Sequence, residues 1–154
     1  MRFVLLILGI ACGSASLWAE KPNYCGSTRQ VAEAANARID SAENGRALVY
    51  VIGSGTRMIK LAVAIDGRFV GITGRNDYIA VSLDPGVHHI CATSVKTKSR
   101  DALLQLTVAA DQTYYVKQDF DRNGGWYYSP PRLWLLLLDA DQGADAMTRA
   151  KPAH

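Results

Sequence analysis

The chain has 154 residues, with 17 basic and 14 acidic side chains and a formal charge of +3. That length suits one domain with one sizeable core, and 49% apolar with 20% charged residues is the balance of an ordinary globular protein. The charges are scattered, with no basic stripe, no block of like charge and no low-complexity tract, so nucleic acid is not an expected partner.

Residues 1–19 read as a targeting segment. Met1-Arg2 is a short basic start, and Phe3 to Ala11 is an apolar run too short to anchor stably across a bilayer. Small residues follow from Gly13 to Ser16, and cleavage is expected after Ala19. The competing reading is a lipoprotein signal with Cys12 as the acylated residue. Gly9-Ile10-Ala11-Cys12 has the small residue before the cysteine but Gly9 in place of the usual Leu. Membrane attachment is expected only if Cys12 is acylated. Export places the mature chain in the periplasm or outside the cell. In that oxidising setting the two remaining cysteines, Cys25 and Cys91, are expected to form one disulfide. It closes a long loop, for which the chain-entropy model gives about 4 kcal/mol. The alternative is a pair of free, buried cysteines. No CxxC is present, which disfavours thiol oxidoreductase chemistry.

Residues 20–46 are expected to form a lead and a helix. Ser27 and Gln30 make an S-x-x-Q capping box. Thr28 to Glu43 is rich in helix formers, with Val31, Ala35, Ile39 and Ala42 near one face. Asn44-Gly45 supplies the stop.

From residue 47 to 139 the pattern is that of strands. Ala47 to Ile52 is the first and Ile59 to Ile65 the second, with Leu61, Val63 and Ile65 on one face. Asp66-Gly67 is a hairpin turn signal leading into Arg68 to Ile72. Tyr78 to Leu83, Asp84-Pro85-Gly86 and Val87 to Val95 read as strand, tight turn and strand. Pro85 suits the second position of a type II turn, and Gly86 the position that needs positive φ. Alternation alone does not settle which face of the second strand points inward. Leu103 to Ala109 and Thr113 to Phe120 follow, then a long loop from Asp121 to Pro131. Arg132 to Leu138 is a last apolar strand, expected to be buried on both faces. Residues 140–154 are expected to hold a short helix, weakened by Gly143, and a mobile tail. The expected fold is therefore mainly β: an antiparallel β-sandwich of about eight short strands, with an N-terminal amphipathic helix and a short C-terminal one.

The succession Asp66-Gly67, Phe69-Val70-Gly71, Tyr78 to Leu83, Pro85-Gly86-Val87-His88 and Tyr114-Tyr115-Val116 resembles a bacterial family of exported domains, number twenty-eight forty-six in the domain-of-unknown-function series. It is also similar to the small β-domains named for a Pro-Glu-Gly-Ala motif. The resemblance spans about Leu48 to Leu138 and rests on short, mostly structural motifs. The N-terminal helix and the cysteine pair are not part of the pattern. It implies a cell-envelope β-sandwich with no catalytic residue to carry over, and it favours His88, Ile90 and Ala92 as the inward face of their strand.

Candidate chemistry is sparse. His88 and His89 are adjacent on a strand and point to opposite faces, so one ion cannot easily take both. His89 and Cys91 share a face and are a conceivable ligand pair, but a disulfide accounts better for Cys91, and no metal or cofactor is expected. The bland reading makes His88 a half-buried histidine bonded to backbone near the turn and His89 a surface residue. There is no G-x-S-x-G, and Gly53-Ser54-Gly55-Thr56 lacks the rest of a phosphate loop. The loop holding Trp126, Tyr127 and Tyr128, flanked by Arg132 and Trp134, is the binding candidate, because aromatics beside Gly and Pro can stack on sugar rings or peptides. The competing view is that these aromatics fold back to cap the sandwich. The expectation is a non-catalytic envelope module whose partner is a protein or a glycan. The alternative is a periplasmic hydrolase-like or metal-dependent enzyme.

Overall fold

The computed structural model describes Cys25 and residues 44–53, 59–95, 101–120 and 132–153. The targeting segment with Cys12, the capping-box helix, and Trp126, Tyr127 and Tyr128 lie outside the described residues.

Strands occur where alternation places them. They are β1 (Ala47–Ile52), β2 (Leu61–Ile65), β3 (Arg68–Thr73), β4 (Asp77–Leu83), β5 (Gly86–Ser94), β6 (Ala102–Val108), β7 (Thr113–Phe120) and β8 (Leu133–Leu138). Helix α1 (Ala140–Thr148) and a two-residue strand β9 (Lys151–Pro152) follow. One sheet has the order β8-β7-β1-β4-β9 and the other β3-β2-β5-β6. Their inner faces meet in one apolar core, in which Val49, Val51, Val63, Ile90 and Val116 are fully buried. Burying a side chain of that size contributes roughly 1.5–3 kcal/mol before chain entropy is counted. The inward set on β5 is Ile90 and Ala92, both in the core.

Two features depart from a simple antiparallel sandwich. First, β1 pairs in parallel with β7, and β4 in parallel with β9. Parallel neighbours need a long crossover, and between β1 and β7 the chain runs through β2 and β3 in the opposite sheet, β4 in the same sheet, and β5 and β6 in the opposite one again. Second, β4 and β5 are not a hairpin. Strand β4 pairs with β1, whereas β5 pairs with β2 and β6 in the other sheet. Asp84-Pro85 is thus a corner between sheets. Gly86 does take a positive φ of 149°, but as the extended first residue of β5, far from the roughly 80° of a type II turn. By contrast Asp66 and Gly67, with φ of 51° and 78°, make a true hairpin turn with both central residues left-handed, and β2 pairs with β3.

The outer face of the five-stranded sheet carries a row of aromatic rings. Tyr50 on β1 stacks on Tyr115 of β7 (centroids 5.5 Å apart, planes at 9°) and meets Tyr78 of β4 edge-on at 5.5 Å. Helix α1 lies against β7 and β8 on this side. Its Asp139 cap accepts a hydrogen bond from the Gln142 amide at 2.8 Å, an arrangement worth about 1 kcal/mol. Gly143, a weak helix former, is buried where the helix touches the sheet: a Cβ built there would overlap the Tyr115 ring. The tail is not mobile up to Ala153. Lys151 N–H donates to the Asn76 carbonyl at 2.8 Å and Ala153 N–H to that of Tyr78 at 2.9 Å, which makes β9 an edge strand. Pro152 fits because an edge tolerates a missing donor.

On the opposite outer face, Cys91 is 1% exposed and bonded to Cys25, across 66 residues of sequence, with Cα atoms 5.2 Å apart. The cysteines are paired and not free. Ala62 and Ala64 of β2 point to this same outer face and are nearly buried. Ala64 is the register partner of Cys91, so small side chains surround the bridge.

Candidate functional site

Two places combine chemistry with position: the outer face of β8 and the turn cluster around His88.

Strand β8 begins beside the end of β7. Phe120, the last residue of β7, is the register partner of Leu133, the first of β8. Leu133 and Leu135 face the core. Trp134 (38% exposed) and Leu136 (43%) alternate onto the outer face, and Leu137 is exposed as well. This corrects the expectation of a strand buried on both faces. Strand β8 is an edge strand with one sheet face on the core, and α1 packs at the Tyr115 side of the outer face. In register, Trp134 sits beside Asp119 and Leu136 beside Lys117. Arg132 is exposed immediately before the strand. Of the binding residues expected from sequence, Arg132 is described, two positions before Trp134 in the chain. Trp126, Tyr127 and Tyr128 fall outside the described residues.

The second place is built from two turns and the start of β5. The left-handed turn at Asp66 aims its carboxylate at β5. Oδ1 accepts the His89 backbone N–H at 2.8 Å, and Oδ2 lies 2.7 Å from His88 Nδ1. The Asp66 N–H in turn donates to the His89 carbonyl at 2.9 Å. On its other side, His88 Nε2 is 2.8 Å from the Asp84 carbonyl oxygen. Arg46 Nε, just before β1, is 3.1 Å from Asp84 Oδ1, and His89 Nδ1 is 3.9 Å from Asp66 Oδ1. Burial pushes the His88 pKa down, but the bonds to Asp66 and to the Asp84 carbonyl and the negative charges nearby outweigh it, and the net direction is up. Burial likewise pushes Asp66 up, and its bonds from His88 and the His89 amide, with the charges of both rings, bring the net direction down.

His88 thus bonds backbone near the turn, as the bland reading had it. What the sequence reading missed is Asp66, which was seen only as a turn residue. A carboxylate on Nδ1 is the orienting half of a hydrolase triad. Here, however, Nε2 is on the Asp84 backbone carbonyl, and among the described residues no hydroxyl or thiol is hydrogen-bonded to it. Cys91 is committed to its disulfide and is no metal ligand, and among the described residues no group of three His, Cys, Asp or Glu side chains is arranged to hold a metal ion.

A third polar feature is buried between the sheets. Thr73 and Gln118 are both fully buried, and the Thr73 hydroxyl donates to Gln118 Oε1 at 2.7 Å, bridging β3 to β7. It joins the two sheets near the C-terminal end of β7.

No family model matches the chain, and no curated protein matches it. Among solved structures, an NMR structure of a protein from Eubacterium rectale is similar, with a TM-score of 0.42 and 15% identity over 63% of this chain and 94% of that one. At that TM-score the likeness bears on neither fold nor function.

Proposed function

We propose that the chain is an exported, non-catalytic β-sandwich module of the cell envelope that binds a protein or glycan partner at the outer face of β8. Trp126, Tyr127, Tyr128 and Arg132 would act with Trp134 and Leu136. The observation that carries this reading is the exposed Trp134–Leu136 row on an edge strand that follows Arg132 in the sequence. An aromatic and a cation flanking an apolar row are the residue types enriched at binding hot spots. The Cys25–Cys91 disulfide agrees with an oxidising compartment. The resemblance to exported domains of unknown function belongs to the same proposal. No particular observation favours the hydrolase-like or metal-dependent alternative.

The test is binding of purified chain to a glycan array and to solubilised envelope proteins. The Trp134→Ala and Trp126→Ala/Tyr127→Ala variants are run beside a Val87→Ser control on the other sheet. The proposal expects a loss of roughly tenfold or more in affinity for the β8-face and loop variants and none for the control. Equal binding by all variants would overturn it.

A further inference from the structure

We propose that His88 is a proton-controlled clamp: as an imidazolium it ties the β2–β3 hairpin turn to the β4–β5 corner, and on losing its proton it releases the corner. The geometry carries this. Both ring nitrogens face acceptors, a carboxylate oxygen at 2.7 Å and a backbone carbonyl at 2.8 Å. A neutral imidazole has one N–H, so only the doubly protonated ring satisfies both contacts. When one proton leaves, the carboxylate is the stronger acceptor and keeps Nδ1–H. The Nε2 lone pair then faces the Asp84 oxygen at hydrogen-bond distance, a repulsive contact. The carbonyl has to turn away, and with it the Asp84-Pro85 link that passes the chain from one sheet to the other.

The surroundings favour the cation. Asp66 faces the ring from the β2–β3 turn, and its other oxygen is held by the His89 amide, which fixes the carboxylate in place. Asp84 contributes its carbonyl directly and its carboxylate nearby. The cation on that side, Arg46, is directed at the Asp84 carboxylate. His89 approaches Asp66 from the same strand as His88. Arg68 is exposed at the start of β3, and on β6 the register partner of His88 is the apolar Leu106. The His88 side chain is 16% exposed, enough for its proton to exchange with solvent while water does not replace the two contacts.

The sign follows from the two directions. A histidine raised in the folded state stabilises fully below its unfolded value and loses that stabilisation as pH rises through the folded value. A carboxylate lowered in the folded state stabilises above its unfolded value and loses that as pH falls through the folded one. The clamp is therefore closed between the ordinary carboxylate and histidine values, at mildly acidic pH, and opens on the alkaline side.

The experiment is NMR titration of the imidazole nitrogens of the full chain from about pH 5 to about pH 9, with backbone amides followed in parallel. Expected are protonation of both His88 nitrogens at mildly acidic pH, a midpoint above the ordinary histidine value, and shifts of the Gly86 and Val87 amides with the His88 midpoint. Asp66→Asn, which keeps the turn, should bring the midpoint down to or below that of an ordinary histidine. His88→Gln should remove the shared transition from Gly86 and Val87. A His88 midpoint at or below the ordinary value in the wild type would overturn the proposal. So would corner amides that ignore that midpoint. The wild-type titration decides the matter even if His88→Gln fails to fold.

Discussion

Asp66-Gly67 and Asp84-Pro85-Gly86 look alike in the sequence, and the structure uses them in opposite ways. The first returns β2 onto β3 within one sheet. The second passes the chain from β4 in one sheet to β5 in the other. Two consecutive left-handed residues give the twist a hairpin needs, so the first turn holds its own strands together. The second contains a proline, which lacks a donor, and its strands never pair. What secures it comes from elsewhere: the His88 ring on the Asp84 carbonyl, Arg46 on the Asp84 carboxylate, and the fastening of β5 by Cys91. A local turn motif shows that the chain reverses. Whether the reversal stays in one sheet depends on partners far along the chain.

That contrast can be broken at several points. The largest effect is expected for Cys25→Ser, which frees β5 on its outer face and costs about 4 kcal/mol of unfolding free energy, read from denaturant midpoints. Asp66→Ala comes next. It removes charge-assisted bonds to both the His88 ring and the His89 amide, for about 2 kcal/mol, and the loss should be greater at mildly acidic pH than at alkaline pH. Gly67→Val strains the left-handed position beside Asp66 and costs about 1–2 kcal/mol, read from the same denaturant midpoints. Pro85→Ala is the mildest, near 0.5 kcal/mol through the unfolded chain. A loss well above that would mean that the corner depends on proline geometry more than on His88.

The strands were legible because each has one face on the core, and period-two alternation records that directly, as at Leu61, Val63 and Ile65. The Asp66-Gly67 hairpin was legible because its chemistry is local. Sheet membership was not, since alternation says which face is buried and nothing about which strand lies beside it. Strand β9 escaped notice because two residues with a proline have no pattern. Gly143 read as a weakness in a helix, and only the ring of Tyr115 beneath it gives the reason for it. The exposure of Trp134 and Leu136 was hidden for a related reason: six apolar letters in a row look the same in a central strand and in an edge strand. In the turn cluster, Asp66 and His88 are 22 residues apart, and each has a sufficient local explanation without the other.

Intact-mass spectrometry of the protein recovered from its native cell, with and without reduction, tests the exported-module reading most directly. The expected mass is that of residues 20–154 with Cys25 and Cys91 bridged, from the envelope or external fraction. A cytoplasmic protein that retains residues 1–19 with both thiols free would contradict it.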